Sequence, residues 1–477
     1  MAEITFSGLA TGMATDDIVT KLMAIERQPL DQLQTQKTNE AQRLQAYGQL
    51  NTLLQNLKTA VGAMNLSTTA SPTTAVSGNN GVFTATSTSG ALGSYNISVS
   101  QLAQVQKSVF GGYTSQTDPL FVNGSTLTVN GQTITIDDSN NSLRGIAQTL
   151  NAMADQTGVS ASIINDGSGS PYRLVLTGKD ASTDFTVDGS NLQATDGTVF
   201  SMTTTQVAQQ AKLNIDGIDV VSNSNTVSGV VAGVTLTLTG VSQNLGTAEA
   251  PQYQATSLNV TADTDTLKEK ITNFVNAYNA VMNWVSSAYQ TDTSTTSDSS
   301  SSSTTSDGST NTDSSNLSTL LRGDATVNAI KRGLQSILGT PMSDGSLKIL
   351  SEIGISTNRD GSLSIDSSKL DNALSQNFSG VSELLAGNGY TNGVMKQFNS
   401  YLLQMTSPSS GMYAQKQTQY NDKVRALDQQ ISVKTVALDK READLYARFS
   451  AMETFVSNMN SMSSYITQIS QLWSQKK

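Results

Sequence analysis

In YAQKQTQYNDKVRALDQQISVKTVALDKREADLYARFSAMETFVSNMNSMSSYITQISQLW, residues 413–473, an apolar side chain returns every seven residues: Val424, Ile431, Leu438, Leu445, Met452, Met459, Ile466 and Trp473. A seven-residue apolar repeat over this length predicts one long helix with a coiled-coil seam. The second stripe wanders. Tyr420 and Leu427 begin it, Phe449 and Val456 lie on the opposite flank, and Phe455, Met462 and Ile469 return it. That drift is expected where a helix of 3.6 residues per turn meets a heptad or changes partner. The Tyr413–Arg441 half fits a helix inside a bundle equally well, whereas the last four heptads are broad enough to predict partner helices from other chains.

The other end of the chain is helical too. Asp16 and Asp17 favour a helix start near Thr15, and Ile18, Leu22 and Ile25 line one face. Pro29 predicts a break or kink before Leu30. Leu44, Tyr47, Leu50, Leu54, Leu57, Val61 and Met64 then mark a second amphipathic helix ending near Leu66. Two helical ends predict that they pair with each other.

Between them the texture changes. From Ser67 to about Ala262, Thr, Ser, Asn and Gly surround alternating β-branched residues, which predicts a β region. It holds five basic residues against twelve acidic ones, and this difference of −7 is most of the chain's net −10. Leu127 and Val129 should face Ile134 and Ile136 across an Asn130-Gly131 turn. Ser142 should cap a short helix with Leu143, Ile146, Leu150 and Met153 inward, and Asp216-Gly217 should turn a second hairpin. Helix returns at Asp263 with Leu267, Ile271, Phe274, Val275, Tyr278, Val281 and Val285 at three and four spacing. The tract 291–316, almost entirely Ser, Thr and Asp, predicts a flexible loop. Asp324 should cap another helix, and 353–365 should form a hairpin turning at 358–361.

Composition excludes several kinds of chemistry. The 477 residues include neither cysteine nor histidine, so thiol nucleophiles, disulfides and His-based triads are absent. Net acidity without a basic stripe argues against nucleic acid, and no apolar run is long enough for membrane insertion as a helix. Residues 1–16 have no cationic or apolar segment of a cleaved signal peptide, so an extracellular destination implies another export route. Ser356–Ser367 has a calcium-loop glycine at Gly361, but lacks the terminal Glu and reads as a turn. No carboxylate pair is set apart for acid–base work, and no cofactor is expected.

Four matched segments, in order, carry a family resemblance: FSGLATGM at 6–13 followed by Asp17-Ile18-Val19, ITNFVNAYN at 271–279, Ile353–Leu363, and Phe449–Ser464. Together they resemble the bacterial flagellar filament-capping, or second hook-associated, protein family; the 127–176 module also resembles a small repeat of flagellin-related proteins. The resemblance implies an α+β chain folded back on itself. A terminal coiled-coil domain would comprise 1–41 and 412–477, a helical bundle 42–70 and 263–411, a first β-rich domain 71–111 and 201–262, and a second, inserted one 112–200. It further implies a homo-oligomeric ring of about five or six subunits at the distal filament tip. Flagellin, hook-filament junction proteins, the flagellar type III export apparatus and an export chaperone are the implied partners. The contact residues expected from the stripes are Ile18, Leu22, Ile25, Leu445, Phe449, Met452, Val456, Met459, Ile466 and Ile469. An extracellular adhesin or a hook-filament junction protein is the alternative reading. A hydrolase would need aromatic sugar platforms, and the only tryptophans, Trp284 and Trp473, sit on helical stripes.

Overall fold

The computed structural model describes residues 12, 14–197, 200–288 and 317–474, with the side chains of 472–474 left aside; the 291–316 tract, the opening 6–11 and the Trp473 side chain lie outside it. The fold is α+β: long helices, and several small antiparallel sheets. The chain divides into two compact units, one holding the described parts of Met1–Leu66, Lys270–Ala373 and Glu383–Lys477, the other Ser67–Glu269 and Leu374–Ser382.

The helical unit is organised by two helices, Thr15–Gly62 and Met412–Ser474. The expected break at Pro29 does not occur, since the first helix runs through it. Pro29 removes the amide that would serve the Ile25 carbonyl, but both residues are exposed, so that carbonyl faces solvent at little cost. A short helix, Ser67–Ala70, follows separately.

The half of the N-terminal helix nearer its end carries the core. Leu50, Leu54, Leu57 and Val61, spaced by four, three and four, are fully buried. So are Ile271, Phe274, Tyr278, Val281 and Val285 on Thr264–Ser287, and Phe398 and Leu402 on Val394–Met405. Phe274 and Phe398 meet edge to face at 5.4 Å, an arrangement that suits the ring quadrupoles. Beside them Asn279 grips the hairpin strand Leu363–Ile365 from both sides. Its Nδ2 donates to the Leu363 carbonyl at 2.8 Å, and its Oδ1 accepts the Leu363 amide at 2.7 Å.

Tyr278 is the exception to this satisfaction. Burial raises its phenol above its ordinary pKa, and among the described residues no group bonds its hydroxyl. Tyr278→Phe is therefore expected to stabilise the protein by about 1 kcal/mol, because it removes an unpaired buried hydroxyl while keeping the ring. Denaturant midpoints would show it, and a loss of comparable size would mean that the hydroxyl is satisfied in solution.

The β unit has two cores. A five-stranded antiparallel sheet, in the order Thr73–Ser77, Thr256–Ala262, Gly93–Gln101, Ala211–Ile215 and Ile218–Ser222, shares its core with the three-stranded sheet Thr226–Ser228, Val234–Leu238 and Phe83–Ser87. Phe83, Ile97, Val99, Leu236 and Leu258 are fully buried there. Asp216 and Gly217, both at positive φ, make the two-residue turn between adjacent strands of the larger sheet.

The second core belongs to an inserted module. Its sheet runs Met202–Gln206, Lys107–Tyr113, Tyr172–Gly178 and Val159–Asn165, with a smaller sheet of Gln132–Thr135, Thr126–Val129 and Val187–Asp188. The Asn130-Gly131 hairpin forms as expected, pairing Leu127 with Ile134 and with both turn residues at positive φ. Ser142 caps Leu143–Ala152 by accepting the Gly145 amide at 3.1 Å. The expected boundaries put 107–111 and 201–206 with the first β domain. Lys107–Tyr113 instead pairs with Tyr172–Gly178 on one side and with Met202–Gln206 on the other, and Phe110 and Met202 pack into the second core. Alternation alone does not say which sheet a strand joins. The module's two ends meet at a bridge where Gln104 and Gln209 exchange amide bonds of 2.8 and 2.9 Å.

Four exposed aspartates of this module close turns onto a serine two residues on. At Asp137, Asp166 and Asp180 the largest cause is the serine side chain, with its amide next, and at Asp188 it is the Ser190 amide; all four carboxyls are held below their ordinary range, Asp166 to about 2. A lowered folded pKa contributes stability above the unfolded value of about 4 that is lost as pH falls through the folded one. The urea midpoint is thus expected to stay level from pH 7 to about 5 and to fall between about 4 and 2. A midpoint that rose on acidification would overturn this.

Candidate assembly surface on the terminal helices

The two terminal helices lie antiparallel, as their ion pairs record. Glu26 meets Arg441 at 3.7 Å, Arg27 meets Glu442 at 3.5 Å, Lys37 meets Asp428 at 2.6 Å and Glu40 meets Lys423 at 2.8 Å. From one end of this series to the other, partner numbers fall as the first helix advances, from 441 and 442 opposite 26 and 27 to 423 opposite 40. These side chains are mostly half exposed, so each pair contributes ~0–1 kcal/mol and mainly fixes register and direction.

Apolar contact is concentrated at one end. Val19, Met23 and Leu438 are buried together, with Leu30, Leu445 and Phe449 packed against them. The face that the N-terminal helix turns inward is therefore Thr15, Val19 and Met23, each four apart. Of the expected face, Ile18 is half-buried, while Leu22 and Ile25 are exposed. Both faces are apolar, so spacing alone does not say which one turns to Met412–Ser474: Val19 and Met23 do, and Leu22 and Ile25 stay exposed.

The seam on the C-terminal helix behaves in two ways. Val424, Ile431, Leu438, Leu445 and Met452 are all buried or half-buried, as is Val456. Beyond that point the N-terminal helix has ended among the described residues. Met459 and Ile466 are then 51% and 62% exposed, Ile469 is 39% exposed, and Phe455, Met462 and Tyr465 are exposed beside them. Among the described residues the heptad thus continues past the helix that it packs against. A run of this kind exposes a contiguous apolar strip on a helix, and such strips mark interaction surfaces.

At the other end of the helical pair the contact is polar and well ordered. Tyr47 donates to Asp324 at 2.5 Å, and Lys416 lies 4.8 Å over the Tyr47 ring. Asp324 also caps Ala325–Gly339, accepting the amides of Thr326 at 2.8 Å and Val327 at 3.2 Å. Burial works against its charge, yet the Tyr47 hydroxyl, the two amides and Lys416 together hold its carboxyl below the ordinary range. The cap was legible as Asp324 before a helical pattern. The Tyr47 partner, 277 residues away in sequence, was not.

No grouping of three or more metal-ligating side chains occurs among the described residues. The arrangement offers helix-to-helix contact.

Comparisons with known proteins agree across the chain. Residues 11–106 match the family model described as flagellar hook-associated protein 2 N-terminus, 208–461 match the C-terminus model of that family, and 126–180 match the flagellin hook IN motif. Flagellar hook-associated protein 2 of Escherichia coli K12 is 30% identical over 490 residues, covering 98% of each chain. The A-type flagellar hook-associated protein 2 of Pseudomonas aeruginosa is 28% identical, covering 97% of this chain and 96% of its own. The crystal structure of the D1-D2-D3 domains of the flagellar cap protein FliD from Escherichia coli superposes with a TM-score of 0.61 at 29% identity, covering 79% of this chain and 99% of that one. The chain belongs to the flagellar hook-associated protein 2 family.

Proposed function

We propose that this chain is a structural subunit of the cap at the distal end of the bacterial flagellar filament, where it promotes folding and insertion of exported flagellin and prevents its loss. The observation that carries this, beside family membership, is the heptad that, among the described residues, runs on past its partner helix: Met459, Ile466 and Ile469 are exposed. Contacts there would be made with neighbouring cap subunits and the filament end, together with Leu22 and Ile25 from the first helix. Methionines suit such a surface, since an unbranched thioether repacks against changing neighbours.

The finer arrangement follows the same reading. The antiparallel ion pairs and the Val19–Met23–Leu438 cluster support a terminal coiled-coil domain of 1–41 and 412–477 on a helical bundle of 42–70 and 263–411. Strand pairing supports two β-rich domains, with the insertion drawn between the Gln104 and Gln209 bridge rather than at 112–200. The subunits form a homo-oligomeric ring. The chain reaches the tip through the flagellar type III export apparatus with an export chaperone, without a cleaved signal peptide, and contacts hook-filament junction proteins during assembly.

Deleting the gene should leave cells that release monomeric flagellin and carry short or no filaments, and complementation should restore both. Normal filaments in the deletion strain would refute the capping function.

A further inference from the structure

The fold sorts its methionines. Met64, Met282 and Met395 are fully buried, and among the described residues every other methionine is buried or half-buried except two, Met459 and Met462. These two stand on one face of Met412–Ser474, in the line Phe455, Met459, Met462, Ile466 and Ile469. Alternating steps of four and three keep that line on one side of the helix. All five side chains are exposed.

The setting of the pair is uniform. No charged side chain stands between Glu453 and Lys476, so the strip offers a partner apolar surface and little else to hold. With no cysteine in the chain, no thiol competes with a thioether for an oxidant. Oxidation replaces the apolar thioether with a polar S–O group. Burying that group without a donor carries the cost of any unpaired polar group.

We propose that Met459 and Met462 form a modification site at which hydrogen peroxide disables the free subunit for assembly. This rests on the exposed strip being the assembly surface. The thioether sulfur attacks one peroxide oxygen, and the S–O bond forms as the O–O bond breaks. The sulfur gives up two electrons, and the departing hydroxide takes the proton from the new S–OH group and leaves as water. Each sulfoxide then lies where a partner's apolar side chains must pack. The same packing shields the sulfurs, so the free subunit is the sensitive form and the assembled one resists.

Purified chain treated briefly with dilute hydrogen peroxide, then digested for mass spectrometry, should carry its added oxygen first at Met459 and Met462. Met64, Met282 and Met395 are internal references that should stay reduced. In sedimentation, the treated chain should self-associate about tenfold more weakly than the untreated one. Its circular dichroism should not change, because both side chains lie outside the folded cores. A pair of methionine sulfoxide reductases, one for each epimer, should restore association. For Met459→Leu/Met462→Leu the readout is that variant's own association before and after peroxide, and the ratio should stay near one. Oxygen that appears first on buried or half-buried methionines would overturn the site. Undiminished association of wild-type chain oxidised at both residues, or a leucine variant as sensitive as wild type, would overturn the consequence and leave the assembly reading standing. An untreated chain that stays monomeric at every concentration would overturn both.

Discussion

Strains carrying Leu445→Asp or Ile466→Asp are expected to export the variant but to shed monomeric flagellin and build few or short filaments. The two substitutions should fail for different reasons. Leu445 packs against Val19, Met23 and Leu438, so a carboxylate there places an unpaired charge at a partly desolvated contact between the terminal helices. A loss of about 2–3 kcal/mol in their pairing is expected. Ile466 is 62% exposed in the single chain, so its replacement should change that chain's stability by less than about 0.5 kcal/mol. Its defect should appear only on assembly. Exposed Gln429→Ala and Lys440→Ala serve as controls and should cap normally. Secreted flagellin and filament length, with export verified separately, provide the readout. Normal filaments from the Ile466→Asp strain would remove the exposed heptad from the capping surface.

Asn279→Ala should be the most damaging single change in the helical unit that creates no cavity among large apolar groups. It strips the Leu363 amide and carbonyl of their partner at once, in a half-buried setting. A loss of about 2–4 kcal/mol follows from leaving both groups unpaired. For a unit of this size, that is a fall in Tm of roughly 5–15 °C. Asn279→Asp is expected to fall between the two, because it still accepts the amide but presents a second acceptor to the carbonyl. Equal melting of all three proteins would show that the hairpin 355–365 does not depend on this clamp.

What the sequence discloses and what it withholds divide along the range of the interaction. Residues that act on near neighbours were readable: Asn130-Gly131 as a turn, Ser142 and Asp324 as caps, and the seven-residue stride from Val424 to Met452. Each states its role within a few positions. Three things were not readable. Pro29 carries a local signal for a break, but the helix runs through it, with the unserved Ile25 carbonyl on the exposed side. The strand Lys107–Tyr113 reveals its sheet only through Tyr172–Gly178, and Met202–Gln206 only through Lys107–Tyr113. Asn279 and Leu363 each stood within a recognised motif, yet nothing in either motif says that they bind each other. The candidate surface shows the same split, since the stripe was visible while the point where its internal partner ends was not.

The bridge between Gln104 and Gln209 bears on how this molecule can vary. The host sheet places Gly93–Gln101 beside Ala211–Ile215, so the inserted module leaves and re-enters through neighbouring strands that are already hydrogen bonded. The closure entropy of the insertion is thus met by the host's own pairing and grows only slowly with the length of what is carried. An insertion of this kind is interchangeable: a larger, smaller or quite different module can be carried on the same pair of strands. The host sheet, closed by its own pairing, is thereby indifferent to what the insertion contains.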